Sequence, residues 1–472
     1  MRLSERGTAL ALFLLLILPL ITYCAWRVPL GQVPDETTQM ARANSLLNGE
    51  VVGFRVDRIN PASGGQDAGV VANTGLALAT YFGNGADAPL PASASRAARL
   101  AWVKAIPWAR APSFISSANT AAYAPLAYIP AALALGLAIQ LGATPHWAAI
   151  AARFGNVLAF ALLGMLALLL TRRGALLLLL VLGLPMTIWL AGSANQDGLL
   201  IAVTTLAFAL LTRPGAVCFW LGSLALAVLA LQKPPFAALM LLPLVTPGPA
   251  PRAWGQRIAA ALLVALPACI WTVIVIHHVS VPLRPGLPYQ AGPLWTGHPG
   301  QIFRSAIAAA QMRVVLHHPL HIALLPIFGA GPGLRAFWNQ SIGVLGPFTI
   351  LLPNHVYRLY TLAMLSALAA LLAAPGEPAR RWALPVALLV ALIAAELICL
   401  SQYLTWTPVG ADRLEGIQGR YFIPLYPIAI IALGRMLPMP PRFGWVFWLL
   451  PVAAILSADL TLPRIIATHY YR

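Results

Sequence analysis

The chain is written in long apolar runs of fifteen to twenty-five residues, separated by short polar clusters. As a helix, a run of that length crosses a hydrocarbon core of about 30 Å. Lipid offers the backbone no hydrogen bonds, so only helices and closed barrels cross it. The runs show no two-residue alternation, which leaves helices. Charged residues make up 9% of the chain and hydrophobic ones 60%, whereas a soluble domain is roughly a quarter charged. The sequence therefore predicts an all-α polytopic membrane protein, one integral membrane domain over residues 1–472.

The net charge of +17 is spread singly or in pairs at the ends of apolar runs. That distribution suits cytoplasmic loops and lipid headgroups, and argues against nucleic acid. Cys24, Cys218, Cys269 and Cys399 lie in or beside apolar runs, without disulfide or metal spacing, as small buried hydrophobes do. Arg2 and Arg6 precede an apolar stretch in the manner of a signal peptide. Residues 8–26 hold no small-x-small cleavage site, so they read as a retained first helix with its N-terminus inside.

About eleven spans (ten to thirteen) are expected from run length. They fall near 8–26, 147–170, 174–191, 198–212, 216–231, 235–248, 258–276, 356–373, 382–400, 421–437 and 444–460. Residues 121–141 either span or lie in the interface as a re-entrant stretch. A span there would put Arg172 and Arg173 outside, against the positive-inside rule. The re-entrant option places that pair inside, with Arg213, Arg252, Arg257, Glu377, Arg380, Arg381 and Arg442. Two large outer segments remain, 27–146 and 277–355, and the first carries interfacial helices such as 96–110. No internal repeat supports the inverted-repeat plan of secondary transporters. The location implied is a bacterial inner membrane.

Acidic residues number only thirteen, so each can be weighed. Glu5 and Glu377 read as cytoplasmic loop charges, and Glu50, Asp57, Asp67 and Asp87 as solvated charges of the first outer loop. Asp459 lies near a helix end, and Glu396 lies inside an apolar run, where an ionisable group faces a cavity or pairs with an interior Arg. Three clusters remain, each at the outer end of a span: Asp35-Glu36, Asp197 in a polar turn with Asn195, and Asp412 with Glu415, followed by Arg420. Either they form one site or short loops have placed them on one face by coincidence.

Pro34-Asp35-Glu36, followed by Arg42-Ala43 and Gly49, resembles the opening signature of bacterial membrane proteins grouped as domain of unknown function 2142. Later stations of that family resemble Tyr123 to Pro130, Leu184-Pro185-Met186 with Ser193 to Gly198, Ile342 to Gly346 with Pro353, and Gly416-Ile-Gln418-Gly419-Arg420-Tyr421-Phe-Ile-Pro424. The resemblance runs in order along nearly the whole chain. The family often carries His three residues after the Glu, where this chain has Gln39, which puts proton transfer by that side chain in doubt. The family in turn resembles, more distantly, the GT-C glycosyltransferases. Those enzymes carry an acidic residue in the first outer loop and take sugars from polyprenyl-phosphate carriers.

The resemblance implies a GT-C-like arrangement and inverting transfer of a sugar from a polyprenyl-phosphate-linked donor to a hydroxyl of a glycan, lipid or protein acceptor. Asp35 is the expected general base, with Glu36 orienting Arg42 or the acceptor. Arg420 first and Arg42 second are expected to hold the phosphate, which suits a guanidinium fork. Asn195, Asp197 and Gln418 are expected to bind donor or sugar, and Tyr403 and Trp406 to stack on a sugar face. Each has a plainer reading: Arg420 snorkelling at a span end, Tyr403 and Trp406 in an aromatic belt, Asp197 capping a helix. His317-His318-Pro319-Leu320-His321 is a weak metal pattern, because Pro319 interrupts it. A divalent cation bridging carboxylates and phosphate is compatible with the sequence but not required by it. The rival readings are a flippase for lipid-linked saccharide, which calls for mid-membrane acids, and a non-catalytic partner in polysaccharide export.

Overall fold

A computed structural model describes residues 5–57, 66–246, 253–282, 291–297, 306–328, 333–373, 382–433 and 444–471. Helix α1 (Glu5–Arg27) passes through one wider π turn at Phe13–Ile17 and continues beyond Pro19. The first long connection follows. It holds α2 (Glu36–Leu47), strands β1 (Phe54–Asp57) and β2 (Gln66–Ala72), helices α3 (Thr74–Tyr81) and α4 (Arg96–Ala105), and strand β3 (Ser113–Ser116). The strands form an antiparallel sheet in the order β1-β2-β3, so the all-α expectation is amended here.

Helices α5 (Leu126–Gln140) and α6 (Pro145–Leu170) form a hairpin. Gly155 admits α5 closely, since a Cβ there would lie 2.3 Å from the Pro130 carbonyl oxygen. Next come α7 (Ala175–Leu182), α8 (Pro185–Ala191), α9 (Gln196–Leu211), α10 (Ala216–Gln232), α11 (Pro234–Val245) and α12 (Trp254–His278). The second connection carries α13 (Ala308–His317), α14 (Pro319–Phe328), α15 (Gly333–Gly343) and a short hairpin of β4 (Val344–Leu345) and β5 (Ile350–Leu351). Helices α16 (Asn354–Ala373), α17 (Ala383–Thr405), α18 (Gly419–Ala432) and α19 (Val446–Tyr470) complete the chain.

Six described helices are long and apolar enough to cross a membrane: α1, α6, α12, α16, α17 and α19. Helices α8 and α9 make a seventh if their 116° bend is read as one broken span. The expected count of about eleven is therefore not reached among the described residues, for identifiable reasons. The run 174–191 is divided where Leu184 turns extended ahead of Pro185. The run 421–437 begins as a 3-10 helix, Gly419–Ile428, carrying Pro424 and Pro427. The run 235–248 opens as a 3-10 helix at Pro234–Leu241. Proline removes a backbone donor and crowds the preceding turn, which breaks a regular helix. Residues 121–141 give α5, which at 1.5 Å per residue is short for a full crossing. The cytoplasmic placements expected for Arg252, Glu377, Arg380, Arg381 and Arg442 lie outside the described residues.

Burial follows from patterning. Helix α7 is apolar on every face and wholly buried, as such helices must be. By contrast α6 presents Leu158, Leu162, Leu166 and Leu169, and α12 presents Ile258, Leu262, Leu266, Ile270 and Val273, on exposed stripes. Stripes of that size would be a liability in water, and in a bilayer they are the lipid contact.

Candidate functional site

Charged residues far apart in sequence meet at one end of the bundle. Asp35 sits at the N-cap position of α2 with φ 62° and ψ 6°, a left-handed conformation. Its carboxylate makes no cap hydrogen bond. Instead Oδ2 accepts from Arg420 Nη2 at 2.8 Å, and Oδ1 accepts from Asn119 Nδ2 at 3.2 Å. The Asp35 side chain is 38% exposed, that of Arg420 only 2%.

Arg420 is positioned by its neighbour. Gly419 donates from its N–H to Gln340 Oε1, and its carbonyl accepts from Ser341 Oγ. A Cβ at 419 would lie 2.1 Å from the Phe337 carbonyl oxygen, so only glycine lets this segment close onto α15. The guanidinium lies over the rings of Phe348 and Tyr421 at 5.2 and 5.4 Å. Burial opposes its charge, yet Tyr421, Asp197 and Asp35 together raise its pKa above the ordinary value. Its Nε is 3.8 Å from Asp197 Oδ2, beyond hydrogen-bond reach. Nε and Nη1 have no hydrogen-bond partner among the described residues.

Asp197 lies in the first turn of α9, and the cap of that helix is Asn195, whose Oδ1 accepts from the Asp197 N–H at 2.8 Å. Asn195 Nδ2 donates to the Pro34 carbonyl at 2.9 Å, tying this turn to Asp35. Asp197 Oδ1 contacts Lys233 Nζ at 2.7 Å. The Lys233 ammonium in turn stands 5.0 Å above the Tyr421 ring. The result is an unbroken row: Asp35, Arg420, Asp197, Lys233. Beside it, the side-chain amides of Gln196 and Gln232 and the Oε1 of Gln418 are buried without partners among the described residues.

Other expected residues are placed elsewhere. Glu36 does not orient Arg42. It is fully buried against Arg153, accepting from Nε and Nη2 at 2.6 Å each, and also from the N–H groups of Gly31 and Ala194. Arg42 is not directed at the cluster. Its five N–H groups go to Ser45 Oγ and to the carbonyls of Glu50, Val51 and Tyr123, the last twice. Tyr403 is buried, and its hydroxyl donates to the Ala411 carbonyl. Trp406 packs under Gly416, where a Cβ would meet its ring at 2.2 Å. Gln39 is buried and accepts from the Tyr128 hydroxyl. His317 ends α13 and Pro319 opens α14, so the three histidines share no helix face. Among the described residues no group of three His, Cys, Asp or Glu side chains has metal-binding geometry.

Sequence reasoning missed Lys233, Asn119 and Arg153. Lys233 had a signal: it is one of only two lysines, set between an apolar run and Pro234-Pro235. Arg153 had one too, as an Arg well inside an apolar run.

Fold and site together define a multi-pass helical membrane protein with a row of paired charges near one end of its bundle. Residues 18–429 match the family described as Predicted membrane protein (DUF2142), and the chain belongs to that family. No curated protein and no solved structure matches the chain.

Proposed function

We propose that the protein is a GT-C-like membrane glycosyltransferase of the bacterial inner membrane, with its N-terminus inside and its charged row at the outer surface. The observation that carries this reading is the state of Arg420. It is buried, it holds the half-exposed carboxylate of Asp35, and two of its nitrogens, beside Asp197 and Lys233, have no hydrogen-bond partner among the described residues. Buried polar atoms are rarely left unsatisfied, so a polar guest at this place is a physical expectation.

A phosphate of a polyprenyl-linked sugar meets those needs. It would accept from Arg420 Nε and Nη1 and lie near the Lys233 ammonium, with Asp197 keeping the two cations side by side. Asp35 takes the proton of the acceptor hydroxyl as that oxygen bonds to the anomeric carbon. The bond from that carbon to the phosphate oxygen breaks, and the electron pair leaves with the phosphate, stabilised by Arg420. Glu36 and Arg42, with every polar atom committed to the scaffold, serve the site by fixing its walls.

Mass spectrometry of co-purifying lipids tests this reading. A polyprenyl-phosphate sugar enriched on Asp35→Asn, with free polyprenyl phosphate on the wild type, is the expected result and names the sugar. Only bulk phospholipid on both proteins would sink it, moving transport or export assembly to the front.

A further inference from the structure

A second feature lies on the lipid-facing side of α1, away from the charged row. Phe13 stacks on Phe160 at 6.2 Å, and Trp26 lies tilted against Trp147 at 5.8 Å, so α1 and α6 run antiparallel with their ends level. Along α1, against Phe154 of α6, lies a shallow, open groove of about 600 Å³, lined by Leu14, Leu18, Pro19, Thr22, Tyr23 and Trp26. Positions 14, 18, 22 and 26 repeat every four residues and so form one stripe of α1. Its lower end meets the π turn at Phe13–Ile17, a distortion common at functional sites.

At the upper end the chemistry changes abruptly. Arg27 is one turn beyond Tyr23, and its guanidinium stands 4.4 Å from the centre of the Tyr471 ring. Arg96, from the amphipathic α4, is 5.5 Å from the same ring. Lys104 Nζ, also from α4, stands 5.8 Å from Trp147, which itself packs tilted against Trp26. None of these three cations has an ion pair among the described residues, and Arg27 Nε is buried without a partner. Two guanidinium groups drawn to one aromatic ring repel each other unless an anion lies between them or beside them.

We infer that this face binds one anionic phospholipid, its acyl chain in the groove between α1 and α6 and its phosphate among Arg27, Arg96 and Lys104. The groove supplies apolar surface for the chain, and the aromatic pair marks the headgroup level. These cations, without an ion pair among the described residues, supply the selectivity: each Lys or Arg near an anionic lipid surface contributes about 1 kcal/mol. A zwitterionic lipid fills the groove but gains little from the rim. The inference does not depend on the proposed glycosyl transfer.

Native mass spectrometry of the full-length protein, delipidated in detergent and titrated with phosphatidylglycerol or phosphatidylcholine, tests it. One phosphatidylglycerol retained in preference to phosphatidylcholine is expected. Arg27→Gln with Arg96→Gln should weaken that preference roughly 25-fold, about fivefold per cation. Arg96→Gln alone, on a half-buried surface helix, gives the single step should the double variant fold poorly. Leu18→Trp, which fills the groove, should weaken both lipids, while Arg413→Gln should change neither. Equal retention of the two lipids by the wild type, or unchanged selectivity in Arg96→Gln, overturns the inference. Saturation by inorganic phosphate or by undecaprenyl phosphate in place of phosphatidylglycerol also overturns it, since the site would then read a different ligand.

Discussion

Adjacent acids at positions 35 and 36 have opposite fates, and the difference is one of partners. Glu36 is sealed against Arg153 with all its lone pairs directed at donors, while Asp35 faces partly into solvent in a conformation that stores about 1 kcal/mol of strain. Glu36→Gln leaves Arg153 as an uncompensated buried charge, so a loss of about 3–5 kcal/mol is expected, read as a lowered midpoint in a thermal-unfolding assay in detergent. Asp35→Asn should keep the wild-type midpoint and lose turnover. A Glu36→Gln protein as stable as the wild type would mean that the pair is not the clamp its geometry describes. Lys233→Met should weaken donor binding about tenfold to a hundredfold, the range for one charged contact, with Lys233→Arg recovering part of it. Donor titration of the folded variants decides this, and unchanged affinity would remove Lys233 from the site. Scarcity of charge made Asp35, Asp197 and Arg420 legible in the sequence, because a membrane protein rarely places ionisable groups without a task. Arg42 misled for the same reason: its task is to satisfy backbone carbonyls, and a sequence does not show which acceptors a folded loop leaves open.

At the scale of elements, apolar runs told where helices lie but not whether each is long or straight. The run at 174–191 reads as a single span until Leu184 ahead of Pro185 divides it, and the segment after Gly419 winds tightly around two prolines. The small sheet escaped notice because its strands are short and one is fully alternating while its partner is buried almost throughout. Broken elements are what bring side chains to the site: Asn195 and Asp197 stand at the α8–α9 bend, and Arg420 opens the irregular α18. The register of that segment depends on Gly419. Gly419→Ala forces its Cβ against the Phe337 carbonyl and displaces Arg420 from Asp35, with an expected loss of about 1–3 kcal/mol. Activity should fall much further than stability does. Measuring both on one preparation separates this from simple unfolding, and a variant with normal turnover would show that Arg420 needs no such exact placement.

For the whole molecule, the decisive matter is which side of the membrane receives the charged row. The orientation proposed above, drawn from the positive-inside rule, would put Arg172, Arg173 and Arg213 in the cytoplasm and Asp35, Asp197, Lys233 and Arg420 outside. The fold sorts these groups to opposite ends: α1 and α6 meet level at Trp26 and Trp147, and the loop of Arg213 lies at the other end of α9 from Asp197. Sugar transfer from a polyprenyl carrier calls for the Trp26 end at the outer surface, whereas the anionic-lipid site is indifferent to the leaflet. Single reporter cysteines in a background lacking Cys24, Cys218, Cys269 and Cys399 test the assignment directly. Asp87→Cys and Asp412→Cys, both exposed, should react with a membrane-impermeant maleimide in intact cells. Pro214→Cys, exposed at the opposite end, should react only after the membrane is opened. The reverse pattern would put the row on the cytoplasmic face, opposite the outer surface where the proposed transfer takes place. The proposed chemistry would then fail even though every contact around Arg420 stood unchanged.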